Sequence, residues 1–218
     1  MKNIIFIAPP AAGKGTQSSL IEKEYHMPHI STGDILREVS QEDSEVGSYI
    51  LEVLSQGGLV KDDIMYQLLE ERLKKEDCRN GYVLDGFPRN VEQAMKYDEM
   101  LKKLHQELGY VIVLDIDEKT LEKRVTGRRI CDACGAVYNV NTEKEQPKEE
   151  SICDVCGGRL KQRNDDNIES FRNRYQIYLE KMQPLLDYYK KKGILYVIDG
   201  RGSVEEIFQK IKKVLMKG

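Results

Sequence analysis

The apolar positions of this chain fall into two kinds of run. Asn3–Ile7, Tyr82–Asp85, Tyr110–Asp115 and Ile194–Ile198 are short and almost continuously apolar, as strands covered on both faces of a parallel sheet must be. Pro28–Ser31 adds a shorter fifth strand. Between them lie longer stretches that read as helices, among them Asp62–Lys75 and Val91–Leu104. The last helix carries two signals. Ser203 and Glu206 are spaced as a capping box, and Ile207, Ile211, Val214 and Leu215 form one apolar stripe. Strand–helix alternation of this kind predicts an α/β fold, a doubly wound parallel five-stranded sheet with right-handed crossovers.

One segment breaks the alternation. From about Gly127 to Asp166 there is no helical period, and the residues are rich in Asn, Glu, Lys and Gly. Its patch Thr142–Ser151 reads as a solvated loop. The segment is a small insert, too poor in apolar residues to bury a core of its own. The other residues of the 218 suffice for one domain. With 40% hydrophobic and 33% charged residues the chain is globular in composition. A net charge of only −3 argues against binding nucleic acid by bulk electrostatics, so a phosphate ligand must be met by local clusters of Lys and Arg. The apolar run Ile4–Ala12 is not read as a secretory signal: it is short, lacks a cleavage site and leads directly into Gly13-Lys14-Gly15-Thr16. No apolar stretch approaches the ~18 residues of a membrane helix. The expected location is the cytoplasm, where the five cysteines would stay reduced. Cys78, alone, reads as a buried helical residue.

The first strand opens into Ala8-Pro9-Pro10-Ala11-Ala12-Gly13-Lys14-Gly15-Thr16-Gln17 and then a helix. Such a loop cradles phosphates on backbone N–H groups at a helix N-terminus, with Lys14 reaching the outer phosphates. The strict pattern GxxxxGK[ST] is not met. Ala8 stands at the opening glycine, Gly15 separates Lys14 from Thr16, and Ala11 stands where a related loop also has glycine. An alanine forced to positive φ costs on the order of 1 kcal/mol. Read alone, the loop is also compatible with a Gly/Ala-rich strand-to-helix turn bearing a surface lysine.

Cys131-Asp-Ala-Cys134 and Cys153-Asp-Val-Cys156 are two CxxC knuckles, each followed by glycine. Their spacing suits a tetrahedral zinc ribbon; an iron–sulfur cluster or a redox dithiol pair uses the same residue types. Four thiolates leave no open coordination position, so the metal is expected to be structural. It would supply folding energy that the insert cannot gain from apolar burial.

No histidine of the three, His26, His29 and His105, lies in a motif, and no nucleophile–base pair stands out. Instead, arginines fall beside glycine turns and acidic pairs, and a guanidinium grips phosphate oxygens bidentately as lysine cannot. Gly13-Lys14-Gly15-Thr16-Gln17, Ser31-Thr32-Gly33-Asp34 with Arg37, Asp85-Gly86-Phe87-Pro88-Arg89, Gly127-Arg128-Arg129, and Arg163-Asn164-Asp165-Asp166 with Arg174 follow in that order. Together they resemble the adenylate kinase family over essentially the whole chain.

The resemblance implies phosphoryl transfer from MgATP to AMP, a chemistry of positioning and charge neutralisation. It implies that Ala11, Ala12, Gly13, Lys14, Gly15, Thr16, Arg124, Arg128, Val137, Tyr138 and Gly202 face ATP. AMP would meet Thr32, Arg37, Gly58, Leu59, Val60, Gly86, Phe87, Pro88, Arg89 and Gln93. Arg163 and Arg174 would span the transfer region, and Asp85, helped by Asp34, would orient hydrated Mg²⁺. The catalytic set is then Lys14, Asp85, Arg89, Arg128, Arg163 and Arg174; the metal set is Cys131, Cys134, Cys153 and Cys156. The implied layout is a core of 1–30, 61–126 and 167–218, an AMP-binding segment 31–60, and a zinc-binding lid 127–166 that closes over ATP and excludes water. ATP, AMP and ADP would be the partners of a monomer, with no nucleic acid or membrane. Two alternatives stay open at this level: a kinase for UMP, CMP or GMP, and a non-catalytic nucleotide sensor carrying a zinc ribbon.

Overall fold

A computed structural model describes residues 2–55, 60–163 and 166–216. The strands in chain order are β1 (Asn3–Ile7), β2 (His29–Ser31), β3 (Val83–Asp85), β4 (Leu108–Asp115), β5 (Arg128–Cys131), β6 (Val137–Asn139), β7 (Leu160–Lys161) and β8 (Leu195–Asp199). The helices are α1 (Lys14–Tyr25), α2 (Thr32–Val39), α3 (Glu45–Ser55), α4 (Asp62–Leu73), α5 (Val91–Lys103), α6 (Glu118–Gly127), α7 (Ile168–Lys191) and α8 (Val204–Leu215). The five apolar runs are the five strands of one parallel sheet in the order β2-β3-β1-β4-β8. The capping box of Ser203 and Glu206 is present at the start of α8.

Both faces of the inner strands β1, β3 and β4 are covered, which is why these runs are almost wholly apolar, while the edge strand β8 leaves Val197 exposed. Along β1, Ile4 and Phe6 pack with Ile21, Leu121, Val125 and Ile211, on the side of α1, α6 and α8. Ile5 and Ile7 point the other way, onto Leu69, Ala94, Tyr97 and Leu185 of α4, α5 and α7. The neighbours β1 and β3 therefore send their following helices, α1 and α5, to opposite faces. A crevice opens between the loops at their carboxyl ends, where open α/β sheets bind ligands.

The insert is a separate antiparallel sheet in the order β6-β5-β7. Its buried hydrophobic residues are Cys131, Cys153 and Leu160, with Ala136 and Tyr138 packed against them, as poor a core as the composition predicts. It joins the larger body through the end of α6. There Asn139 donates to the Arg124 carbonyl at 3.0 Å and Asn141 to the Lys123 carbonyl at 3.0 Å, satisfying helix-end acceptors. Gly127 is required at this joint, because a Cβ on it would lie 2.2 Å from Asn139 Oδ1.

Candidate functional site

The crevice is floored by the loop between β1 and α1. Gly13 caps α1 at φ 90°, with no side-chain capping bond and no acidic residue in the first turn. Among the described helices whose starts are otherwise capped or acidic, α1 alone leaves its first amides to be met by a ligand. A Cβ built on Gly13 or Gly15 meets nothing within 4 Å, so the loop has room beside it. Ala11 sits at φ 62°, in the left-handed region, so alanine at this glycine position does carry the expected backbone cost. Ala8, by contrast, is buried in the core without positive φ and accepts a hydrogen bond from Lys14 Nζ at 2.9 Å. Ala12 is buried, its N–H bonded to the Pro9 carbonyl at 3.3 Å.

Lys14 reaches across to Asp85 at the end of β3, 3.9 Å away. Burial pushes the Lys14 ammonium below the ordinary lysine range; Asp85 works against this, while Arg89, Arg174 and Arg128 add to it. Three of the arginines singled out in the sequence are thus in electrostatic range of one lysine. Burial alone would raise the Asp85 carboxyl, but Lys14, His29 and Arg89 outweigh it and hold the group below the usual carboxylate range. Arg89 is likewise pushed down, first by burial and then by Arg174 against the pull of Asp85 and Asp62. His29 was missed by the sequence reading. It sits on β2, beside β3, with Nε2 3.8 Å from Asp85 Oδ2. Its place one strand over from an acidic strand end was the available signal.

The loop after β3 is tightly made. Gly86 has φ 85°, and a Cβ on it would lie 2.6 Å from Thr32 Oγ1. Thr32, fully buried, donates to the Asp85 carbonyl at 3.3 Å. Arg89 Nε donates to the Gly86 carbonyl at 2.8 Å. Phe87 is a core residue, in edge contact with Tyr66 and Tyr97, and the Phe87–Pro88 bond is cis. Gln93 accepts from the Arg89 N–H and donates to Asp62, both at 2.7 Å. Val60 packs at the edge of the same core; Gly58, Leu59, Asn164 and Asp165 lie outside the described residues.

Two further arginines are held by carboxylates. Arg37 is ion-paired with Asp34 on the exposed face of α2, and Arg163 lies close enough to Asp34 to add to the depression of its carboxyl. Arg128 makes a two-pronged ion pair with Asp166, whose side chain is fully buried. Arg124 donates to the Gly200 carbonyl at 3.1 Å, two residues before Gly202, bringing α6 to the loop after β8. In the insert, β5 and β6 pair Arg128 with Asn139 and Arg129 with Tyr138. Val137, half exposed, therefore shares a face with Arg128, while Tyr138 lies on the opposite face.

That opposite face holds a candidate metal centre. The sulfurs of Cys131, Cys134, Cys153 and Cys156 all lie within 4.8 Å of one another. Cys131 and Cys156 are 3.5 Å apart, Cys134 and Cys153 3.6 Å, against about 3.8 Å along the edge of a tetrahedral tetrathiolate with metal–sulfur bonds of ~2.3 Å. The residues fit such a centre. A hydrogen bond from Tyr138 is the largest influence drawing the Cys153 thiol down, to about 6. Cys78 is buried in a single 3-10 turn, Glu76–Cys78, beside the Arg72–Asp77 ion pair and far from these four in the fold. Among the described residues no helix is long and apolar enough to cross a membrane.

A family model described as adenylate kinase matches residues 6–194. A protein named adenylate kinase from Fervidobacterium nodosum is 46% identical over 213 residues, covering 98% of this chain and 97% of its own length. Adenylate kinase from Archaeoglobus fulgidus is 45% identical over 215 residues, 99% of this chain and 98% of that protein. The Clostridioides difficile adenylate kinase is 46% identical over 215 residues, with 99% of each chain covered.

Two outcomes follow from this geometry. Because the Lys14 ammonium is depressed, its charge is present below the folded-state value and lost as pH rises through it. kcat/KM for ATP should therefore fall on an alkaline limb centred below the ordinary 10.5, and Lys14→Arg should move that limb to higher pH. Metal removal by chelation, or Cys153→Ser, should lower thermal stability chiefly in 127–166, read by hydrogen exchange. Uniform exchange with and without chelator would be incompatible with a metal-held insert.

Proposed function

This chain belongs to the adenylate kinase family, and on that footing we propose that its cation-lined crevice moves a phosphoryl group reversibly from MgATP to AMP, giving two ADP. The observation that supports the assignment of roles is the convergence of Asp85, Arg89, Arg128 and Arg174 on Lys14 at the carboxyl end of the sheet. Transfer of phosphoryl needs positioning and charge neutralisation rather than a protein nucleophile.

In this account the loop from Ala11 to Thr16 takes the ATP phosphates on its amides, and Lys14 exchanges the Ala8 carbonyl for a phosphate oxygen. Arg128, on the face of the insert that also carries Val137, meets ATP from above; Arg124 and the loop to Gly202 flank the base. On the acceptor side Arg37 and Arg89 hold the AMP phosphate, and Arg163 and Arg174 span the two. Asp85, kept ionised by its cationic neighbours, is the residue to hold hydrated Mg²⁺, with Asp34 nearby, and the ion would neutralise charge on the phosphate oxygens. The four thiolates would hold a structural Zn²⁺. Their free state suits a reducing, cytoplasmic setting. One chain carries every residue of the proposed site, so a monomer suffices. Segments 31–60 and 127–166 would close over AMP and ATP against the rest, excluding water from the transfer.

Base choice can be argued from Gln93. Its amide offers two lone pairs and two N–H groups. The Arg89 N–H requires an oxygen on one side, and the Asp62 carboxylate requires an amine on the other, so the amide cannot flip. One acceptor and one donor remain, in a fixed sense, for a base edge. That sense suits the N6 amine and N1 of adenine in the orientation where guanine presents the reverse pair. Asp62→Asn removes one of the two locks, leaving the Arg89 N–H alone to hold the amide, and should narrow the AMP-over-GMP ratio in kcat/KM by about tenfold. An unchanged ratio would remove Asp62 from base selection.

Arg128 tests the cage itself. Arg128→Ala alone strands the buried Asp166 carboxylate and should destabilise the chain by about 3–5 kcal/mol. In the double variant Arg128→Ala/Asp166→Asn stability should recover, while turnover stays down by roughly 10³–10⁵. A deficit smaller than tenfold in the double variant would take Arg128 out of the transfer chemistry.

A further inference from the structure

The side chain of Tyr138 turns away from the crevice and toward the cysteines. Its Oη lies 3.4 Å from Cys153 Sγ and 2.8 Å from the backbone nitrogen of Asp154. The Asp154 N–H can only donate, so the phenol oxygen is the acceptor in that bond. The phenol has one proton of its own. With its oxygen already receiving, that proton has the Cys153 sulfur as its partner within reach. Asp154 is fixed in turn, its carboxylate accepting the Lys148 N–H at 3.0 Å. The register of β5 and β6 gives the same answer independently, since Tyr138 falls on the face opposite Arg128 and Val137.

We propose that Tyr138 is a positioning residue of the tetrathiolate centre: its hydroxyl donates to the Cys153 thiolate, orients that ligand and ties the second knuckle to β6. The proposal rests on the metal reading of the four cysteines. Hydrogen bonds to ligating groups commonly set ligand orientation and metal retention. The backbone contacts of the second knuckle are local: Cys153 N–H to Gly158 and Gly157 N–H to Cys153. Tyr138 is the side chain that reaches from β6 into that knuckle. Metal held at Cys153 is thereby felt on the strand whose other face lies with Arg128. If ATP meets residue 138, it does so at the backbone, because the phenol is engaged elsewhere.

The test uses the full chain, wild type and Tyr138→Phe, loaded with Zn²⁺ and separately with Co²⁺. A hydrogen bond lowers the energy of the sulfur lone pair, so its loss should shift the thiolate-to-cobalt charge-transfer band to longer wavelength. Zinc should pass to a chromogenic chelator about 10–100-fold more readily, and the metal-free proteins should melt alike. An unchanged band with unchanged zinc retention overturns the proposal. So does a stability loss equal in metal-free and loaded forms, which marks packing alone. Should the variant fail to fold, wild-type protein loaded with ¹¹³Cd decides. Scalar coupling between the metal and a tyrosine hydroxyl proton supports the bond, and its absence overturns it. Wild type that takes up no metal overturns the tetrathiolate reading itself, an outcome distinct from normal loading with a silent tyrosine.

Discussion

Lys14 is partly buried, with Arg89, Arg128 and Arg174 all close enough to push its ammonium down, and Asp85 is the carboxylate that pulls it back. Positive charge of this density, out of bulk water, is unfavourable for folding, and the surrounding structure is arranged to bear it. The parallel sheet fixes the loop after β1 and the end of β3 side by side, so Lys14 and Asp85 meet. Three of the site's arginines are restrained by partners: Arg128 by buried Asp166, Arg37 by Asp34, Arg89 by the Gly86 carbonyl. Side chains already ordered lose less entropy when a ligand arrives. In the proposed function the phosphates of ATP and AMP complete the charge balance, and the same repulsion that strains the free site holds the donor and acceptor phosphates together.

A second constraint comes from the insert, which in the proposed function closes over the crevice without a core to stiffen it. Three buried hydrophobic residues cannot hold a three-stranded sheet, and two of them are cysteines. A metal bound by the four clustered sulfurs would take over the task that aliphatic packing performs in the larger body. The joint to α6 is made by hydrogen bonds instead. Asn139 and Asn141 cap the end of α6, and Gly127 admits them by having no side chain. A metal held by these cysteines would join strand β6 and the Arg128–Asp166 pair into one connected unit, through which the state of the cysteines could reach the proposed ATP face.

The strands were legible because burial on both faces removes polar residues from them, and the helix starts because capping uses few residue types. The core strands lie within two residues of the apolar runs that predict them. Ala11 was legible too: positive φ follows from the phosphate-loop pattern, and the backbone adopts it. Contacts between side chains distant in sequence were not. His29 meets Asp85 only because β2 lies against β3; Asp62 meets Gln93 because α4 packs beside the loop after β3; Arg128 meets Asp166 because the insert folds back on its own root. Tyr138 reads in sequence as part of a strand facing nucleotide, and only the register of two short strands turns its phenol toward Cys153. Motifs name the residues; register and packing decide which of them touch.

The central claim is that these cations are arranged for transfer between an adenine nucleotide donor and AMP. The most direct measurement is ADP formation from MgATP by the unmodified, metal-loaded chain, with AMP as acceptor beside UMP, CMP and GMP at equal concentration. Rapid, reversible ADP formation with AMP, and rates at least tenfold lower with the other three, is the expected result. A folded chain that binds ATP yet turns over no acceptor, or prefers another monophosphate to AMP, would contradict it.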